Sequence, residues 1–276
     1  MNDALLEAES LVKDFAPRGL RLRGREPFRA VDDVTLSVCA GETLAIVGES
    51  GSGKSTTARL IARLLDPTSG RIRLEGEDIT QAQGAQLAHL RRTVQFVFQD
   101  PYSSLNPRHD IERIVSAPLR YQGLRSDTSH TQRVAELLER VGLKPEHARR
   151  YPHQFSGGQA QRIGIARALA VAPKVVICDE AVSALDVSVQ AQVIDLLRDL
   201  QRDLGIAFVF IAHDLAVVRQ IAHRVAVMSA GRIVEQGSTE AIFHAPQEQY
   251  TKALIAAVPR IRPEWDQKRR NRRSEP

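Results

Sequence analysis

The chain has only two cysteines, Cys39 and Cys178, at no spacing that suits a disulfide framework or a metal cluster. Both are expected to be small buried residues. Long hydrophobic runs are missing too. The longest unbroken one, residues 206–212, holds seven residues, against the ~20 that a helix needs to cross a bilayer. No N-terminal stretch combines basic residues, an apolar segment and a small-residue cleavage site. These absences predict a chain that stays in the cytosol, free or peripherally attached to a membrane. Internal repeats are absent, and the only low-complexity run is the C-terminal tail.

Charge is present, but in few places. The formal net charge is +5, which by itself suggests a nucleic-acid partner. Residues 258–276 carry +4 and residues 16–30, with Arg18, Arg21, Arg23, Arg25 and Arg29, carry another +4, so the remaining body is −3. The basic balance therefore belongs to a tail and a loop rather than to a face of the fold. A solvated tail and loop is the plain reading, contact with anionic lipid or RNA the other. No specific nucleic-acid partner is expected. At 276 residues and 43% apolar, the chain is long enough to bury a full core.

The most informative stretch is Gly48-Glu49-Ser50-Gly51-Ser52-Gly53-Lys54-Ser55-Thr56. It fits the G-x-x-x-x-G-K-[ST] loop that wraps nucleotide phosphates. Glycine permits positive φ and lets backbone N–H groups point inward at close range. Lys54 would reach the β- and γ-phosphates, and Ser55 would place its hydroxyl on Mg²⁺. Thr43-Leu44-Ala45-Ile46-Val47 before it reads as a buried strand. Ala58, Ile61, Leu64 and Leu65 after it have helical spacing. A strand feeding a helix N-terminus is an anion site from backbone dipoles alone.

Residues 4–47 read as an antiparallel β layer leading into that strand. Residues 66–70 and 75–78 read as turns around a short alternating strand, and residues 93–98 as a second buried strand ending at Gln99. From about 100 to 172 the pattern turns helical, with Val134, Leu137, Leu138 and Val141 on one stripe. Strand patterns return at 174–178 and 206–212, separated by a helix bearing Val193, Leu196, Leu197 and Leu200. A further helix and a last β segment at 224–228 close the reading. The fold class is therefore α/β, with a helical insert of some 70 residues.

Asp179 ends the third apolar strand, and Glu180 follows it. Two adjacent acids at a strand end permit a division of labour, one on a metal and one deprotonating an attacking water. Phe155-Ser156-Gly157-Gly158-Gln159 precedes a helix with Ile163, Ala166 and Leu169. Ser-Gly-Gly at a helix start offers free N–H groups and so a second anion site, although Ser is also an ordinary N-cap.

In combination these motifs resemble the ATP-binding subunits of ABC transporters, over residues 5–258. The resemblance implies a P-loop NTPase ABC ATPase core with an antiparallel β layer and a helical signature subdomain, about 100–172, followed by a basic tail at 259–276. Its cofactors would be ATP and Mg²⁺. Residues 48–56 match the Walker A loop and Gln99 the Q-loop glutamine, a Mg²⁺ and water ligand. Ser156, Gly157, Gly158 and Gln159 match the signature. Asp179 matches the Walker B metal ligand, Glu180 the catalytic glutamate, Asp186 the D-loop aspartate and His213 the switch histidine. Phe15 is the expected aromatic stacked on adenine, with Phe28 as the alternative. Phe155 where leucine is usual, Ala160 where a longer polar residue is common, and Asp-Glu-Ala-Val where Asp-Glu-Pro-Thr is frequent are departures. None removes a phosphate donor, metal ligand or base.

Three runs resemble the oligopeptide, dipeptide and nickel importer group: residues 99–107, 181–192 and 250–259. These systems usually pair two different ATPase subunits, one with a C-terminal cysteine cluster. No cysteine follows Cys178, so the chain resembles the shorter type. The implied partners are a second ATPase subunit, in a heterodimer with a homodimer as alternative, two transmembrane permease subunits and, indirectly, a solute-binding protein. The implied place is the cytoplasmic face of the inner membrane. The rival reading is an ABC-type ATPase without a membrane partner, acting in DNA repair or translation. Such proteins usually carry a long coiled-coil insert or tandem cassettes, and neither is present.

Overall fold

The computed structural model describes residues 4–16, 27–123 and 129–257. The basic tail and most of the arginine-rich stretch at 18–29 lie outside them. In chain order the elements are β1 (Ala4–Phe15), β2 (Phe28–Cys39), β3 (Thr43–Val47), α1 (Lys54–Ile61), β4 (Ser69–Leu74), β5 (Glu77–Asp78), α2 (Gly84–Thr93) and β6 (Val94–Val97). Four helices follow: α3 (Pro101–Ser104), α4 (Ile111–Tyr121), α5 (His130–Arg140) and α6 (Gly157–Leu169). The chain continues as β7 (Val175–Asp179), α7 (Val187–Leu204), β8 (Ala207–Ala212), α8 (Leu215–Ile221), β9 (Arg224–Ser229), β10 (Arg232–Ser238), α9 (Thr239–His244) and α10 (Gln249–Ala256).

Two sheets organise the molecule. The larger runs β10-β9-β3-β8-β7-β6, parallel except for β10 at one edge. The smaller runs β2-β1-β4-β5 and is antiparallel. Every residue of β3, β7 and β8 is buried, which is why these strands read as unbroken apolar runs: a parallel sheet is covered on both faces. Their period-two alternation divides the core. Leu44, Ile46, Val175, Ile177, Val209 and Ile211 face the antiparallel layer and α1. Ala45, Val47, Val176, Cys178, Phe208 and Phe210 face the other way, into a cluster that includes the helices of the insert. Fully burying side chains such as Phe208 and Phe210 stabilises the fold by about 2–3 kcal/mol each.

Several expectations need correcting. Helix α1 stops at Ile61, because Arg63 takes φ +51° and turns the chain. Leu64 is consequently exposed and only Leu65 packs inward. Glu77 and Asp78 form β5 rather than part of a turn. Cys39 is partly exposed, whereas Cys178 is fully buried and its thiol is pushed up to about 12. The last β segment is a hairpin partner, since β10 returns antiparallel along β9.

Candidate functional site

Sheet order decides what meets here. β3, β8, β7 and β6 are consecutive parallel neighbours, so the segments leaving their C-terminal ends share one edge. Those segments carry the glycine-rich loop, His213, the Asp179–Glu180 pair and Gln99 respectively. That edge is where open α/β sheets place their ligands.

The glycine-rich loop is held tightly from behind. A Cβ at Gly48 would lie 2.1 Å from the Met228 carbonyl oxygen on β9, so the backbone approaches closer than any side chain permits. Gly231 N donates to the Ser52 carbonyl at 3.0 Å. Gly53, at φ +103°, caps α1, whose first residue is Lys54. Glu49, Ser50 and Gly51 are exposed, whereas Ser55 and Thr56 are half-buried.

Lys54 is buried, and its Nζ donates to the carbonyls of Gly48 (2.8 Å) and Glu49 (2.7 Å). Burial draws its pKa below the ordinary lysine value, with the negative charges of Glu180, Asp179 and Glu49 acting against that. Asp179, at the end of β7, accepts a hydrogen bond from Ser55 Oγ at 2.8 Å. Burial raises its pKa, and the Ser55 hydrogen bond is the largest opposing influence.

Glu180 adopts φ +48°, a left-handed conformation that costs a non-glycine residue about 1–2 kcal/mol. Its turn is held by Glu180 N donating to the Ile211 carbonyl (3.1 Å) and by Ser183 Oγ donating to the Glu180 carbonyl (2.9 Å). Its Oε2 accepts from Gln99 Nε2 at 2.9 Å and lies 3.7 Å from His213 Nδ1. The Ser55 hydroxyl, the Asp179 carboxylate and the Gln99 amide oxygen are hard oxygen donors with few carboxylates among them. Such a set fits Mg²⁺, which takes one or two carboxylates and completes its shell with water and substrate phosphates.

The signature residues lie elsewhere, at the start of α6. Ser156 is its N-cap: Gln159 N donates to Ser156 Oγ (3.4 Å), and Ser156 N donates to Gln159 Oε1 (3.1 Å), a capping box. A Cβ at Gly157 would meet Leu185 Cδ2 at 3.6 Å, and one at Gly158 would meet Val189 Cγ1 at 2.2 Å. The signature thus packs on the segment around Asp186, the exposed N-cap of α7. Phe15 and Phe28 are cross-strand partners at one end of β1 and β2, and both are exposed. A Cβ at Gly53 would lie 2.5 Å from the Ala30 carbonyl, so that strand end abuts the loop; Phe28 is two residues from Ala30, and Phe15 is its cross-strand partner.

Two tyrosines that the sequence alone leaves without a role lie within the runs 99–107 and 250–259. Tyr102 Oη donates to the Phe155 carbonyl at 2.7 Å, joining the segment after Gln99 to the signature. Glu49 N donates to Tyr250 Oη at 3.0 Å, joining α10 to the glycine-rich loop. Their motif neighbours were the only available signal.

Comparison with known proteins identifies the family. A family model described as "ABC transporter" matches residues 31–183, and one described as "Oligopeptide/dipeptide transporter, C-terminal region" matches residues 234–276. A "Probable peptide ABC transporter ATP-binding protein" of Sinorhizobium fredii is 55% identical, over 94% of this chain and 74% of the relative. A "Glutathione import ATP-binding protein" of Salmonella paratyphi A is 53% identical over 97% of this chain, which spans only 43% of that relative's length. Among solved structures, the ATP-binding cassette MJ0796, in a dimeric post-hydrolysis state bound to ADP and Pi, superposes with a TM-score of 0.75. It is 30% identical, over 85% of this chain and 98% of the other. The chain belongs to the ABC transporter family, as one of its ATP-binding cassettes.

Proposed function

We propose that the chain binds ATP with Mg²⁺ and hydrolyses it to energise an importer for peptides or a related small solute. The observation that carries this is the Ser55–Asp179 contact at 2.8 Å, beside Gln99 and His213 on Glu180. In this reading the loop N–H groups and Lys54 hold the phosphates. Phe15, or Phe28 in its place, stacks on adenine. Ser55, Asp179 and Gln99 hold Mg²⁺, which when bound neutralises charge on the phosphates. Glu180 takes the proton of the attacking water, and His213 contacts the γ-phosphate within its own chain. Ser156, Gly157, Gly158, Gln159 and Asp186, on a separate part of the surface, complete the site of a second ATPase subunit. Residues 5–258 act as one ATP-binding domain, the insert at 100–172 carrying movement to two permease subunits at the cytoplasmic face of the membrane.

The match of residues 234–276 to the oligopeptide/dipeptide transporter C-terminal region, and the peptide and glutathione import roles of the two relatives, favour peptide-type import over a role without a membrane partner. Among the described residues no helix is long and apolar enough to cross a membrane, so the permeases would supply the passage. The test is reconstitution in proteoliposomes with the permeases and binding protein encoded beside the chain. Mg²⁺-dependent ATP hydrolysis with peptide uptake is the expected outcome. Hydrolysis without uptake of any solute would favour the rival ATPase reading, and failure to bind ATP would overturn both.

A further inference from the structure

The run at 250–259 resembles the peptide importer group, but none of its residues has a role in the proposed ATP site. Its first residue makes one specific contact. Tyr250, the second residue of α10, is half-buried and packs its ring against the main core cluster. Its hydroxyl accepts the Glu49 N–H at 3.0 Å.

That N–H belongs to the Gly48–Glu49 peptide, whose carbonyl on the opposite side accepts from Lys54 Nζ at 2.8 Å. In a trans peptide the two groups point in opposite directions. The plane is therefore held by Lys54 on one side and Tyr250 on the other. When nucleotide enters, Lys54 must share its three donors with the phosphates, and its hold on the Gly48 carbonyl weakens. Tyr250 does not have to move. Its own position is fixed from β10, where Glu235 accepts from Gln247 N (2.8 Å) and Glu248 N (3.2 Å), the two residues just before α10.

We infer that Tyr250 is a positioning residue for nucleotide binding: its hydroxyl fixes the Gly48–Glu49 peptide while Lys54 is on the phosphates. The C-terminal element is thereby a brace on the phosphate loop. This rests on the reading of residues 48–56 as the ATP phosphate site.

The test is Tyr250→Phe, which keeps the ring and its packing and removes only Oη. Three readouts are compared with the wild type: ATP·Mg²⁺ dissociation constant, KM against kcat, and solvent exchange of the Glu49 amide by NMR. Loss of one neutral hydrogen bond predicts a dissociation constant and KM raised about threefold or more, with kcat changed much less. The Glu49 amide should exchange faster at an unchanged melting temperature. An unchanged dissociation constant with unchanged Glu49 exchange would overturn the inference. A Tyr250→Leu variant with the same binding defect as Tyr250→Phe supports the hydroxyl; a defect in Tyr250→Leu alone assigns the effect to packing and overturns it. A wild-type protein that binds no ATP would instead overturn the nucleotide reading, and the Glu49 exchange would still decide whether the brace exists.

Discussion

Gln99 Nε2 donates to Glu180 Oε2 at 2.9 Å, across residues that leave adjacent strands β6 and β7. His213 Nδ1, from the next strand, stands 3.7 Å from the same oxygen. One oxygen of the carboxylate is thus oriented by two neighbours, and the left-handed turn at Glu180 aims the group away from its strand. A residue kept in a costly conformation at a strand end beside a phosphate loop has the marks of a functional group.

Glu180→Gln keeps the size and a hydrogen-bonding oxygen but removes the proposed base. Turnover should fall by about a hundredfold or more, while ATP affinity remains close to wild type. With hydrolysis blocked, ATP should trap the dimeric form, visible by gel filtration or light scattering. Near-normal hydrolysis would remove Glu180 as base.

Lys54→Ala acts on binding instead. The ammonium is buried and already held by two loop carbonyls, so little reorganisation separates it from the phosphates. Charge-assisted contacts of this kind predict a tenfold to hundredfold loss of ATP affinity, roughly. Calorimetric titration reads it directly. Unchanged affinity would contradict the phosphate role.

Much of this architecture was legible because the physics is local. Strands β3, β7 and β8 are buried on both faces, so each shows as an apolar run in sequence. The loop, Asp179 and Glu180 sit at strand ends, where motif and element can be read together. The misses have local causes too. Leu64 and Leu65 keep helical spacing past Ile61, but the positive φ at Arg63 ends the helix, and spacing is blind to φ. Helix α2 buries only Leu90 and Thr93, too few for a periodic signal. The contact of Tyr250 with Glu49 spans 201 positions in the chain. Only the folded arrangement of β9, β10 and α10 brings those residues together.

The two signature glycines should respond differently to alanine. At Gly158 a new methyl would overlap Val189 Cγ1 at 2.2 Å, and valine has one strongly preferred rotamer in a helix. Gly158→Ala should therefore destabilise the fold by about 1–3 kcal/mol as α6 and α7 separate. At Gly157 the nearest atom is 3.6 Å away, an ordinary contact. Gly157→Ala should leave stability unchanged or slightly improved, and its effect should appear in ATPase activity if the signature completes a partner's site as proposed. Urea unfolding of both variants checks the contrast. No loss in either variant would show that the Gly158 clash relaxes without cost, and an equal loss in both that Gly157 is tighter than its geometry.

The last prediction concerns pH. Lys174, just before β7, pairs with Glu75 in the turn after β4, and His89 Nε2 lies 3.4 Å from the other Glu75 oxygen. The pair ties the antiparallel layer to the N-terminal end of the central sheet. The hydrogen bond from Lys174 is the largest influence on Glu75 and holds its pKa below the ordinary value near 4.5, against an opposing effect of burial. A carboxylate depressed in the folded state adds stability above its unfolded pKa and loses it as pH falls through the folded value. Lys174→Met should therefore be less stable than wild type at neutral pH, by about 0.5 kcal/mol once solvent screening of this half-exposed pair is allowed for. The gap should close as the pH drops below the folded-state value, and it should narrow in high salt. Urea titrations across that range read both trends. A gap that persists in acid would assign the effect to packing of the lysine stem rather than to its charge.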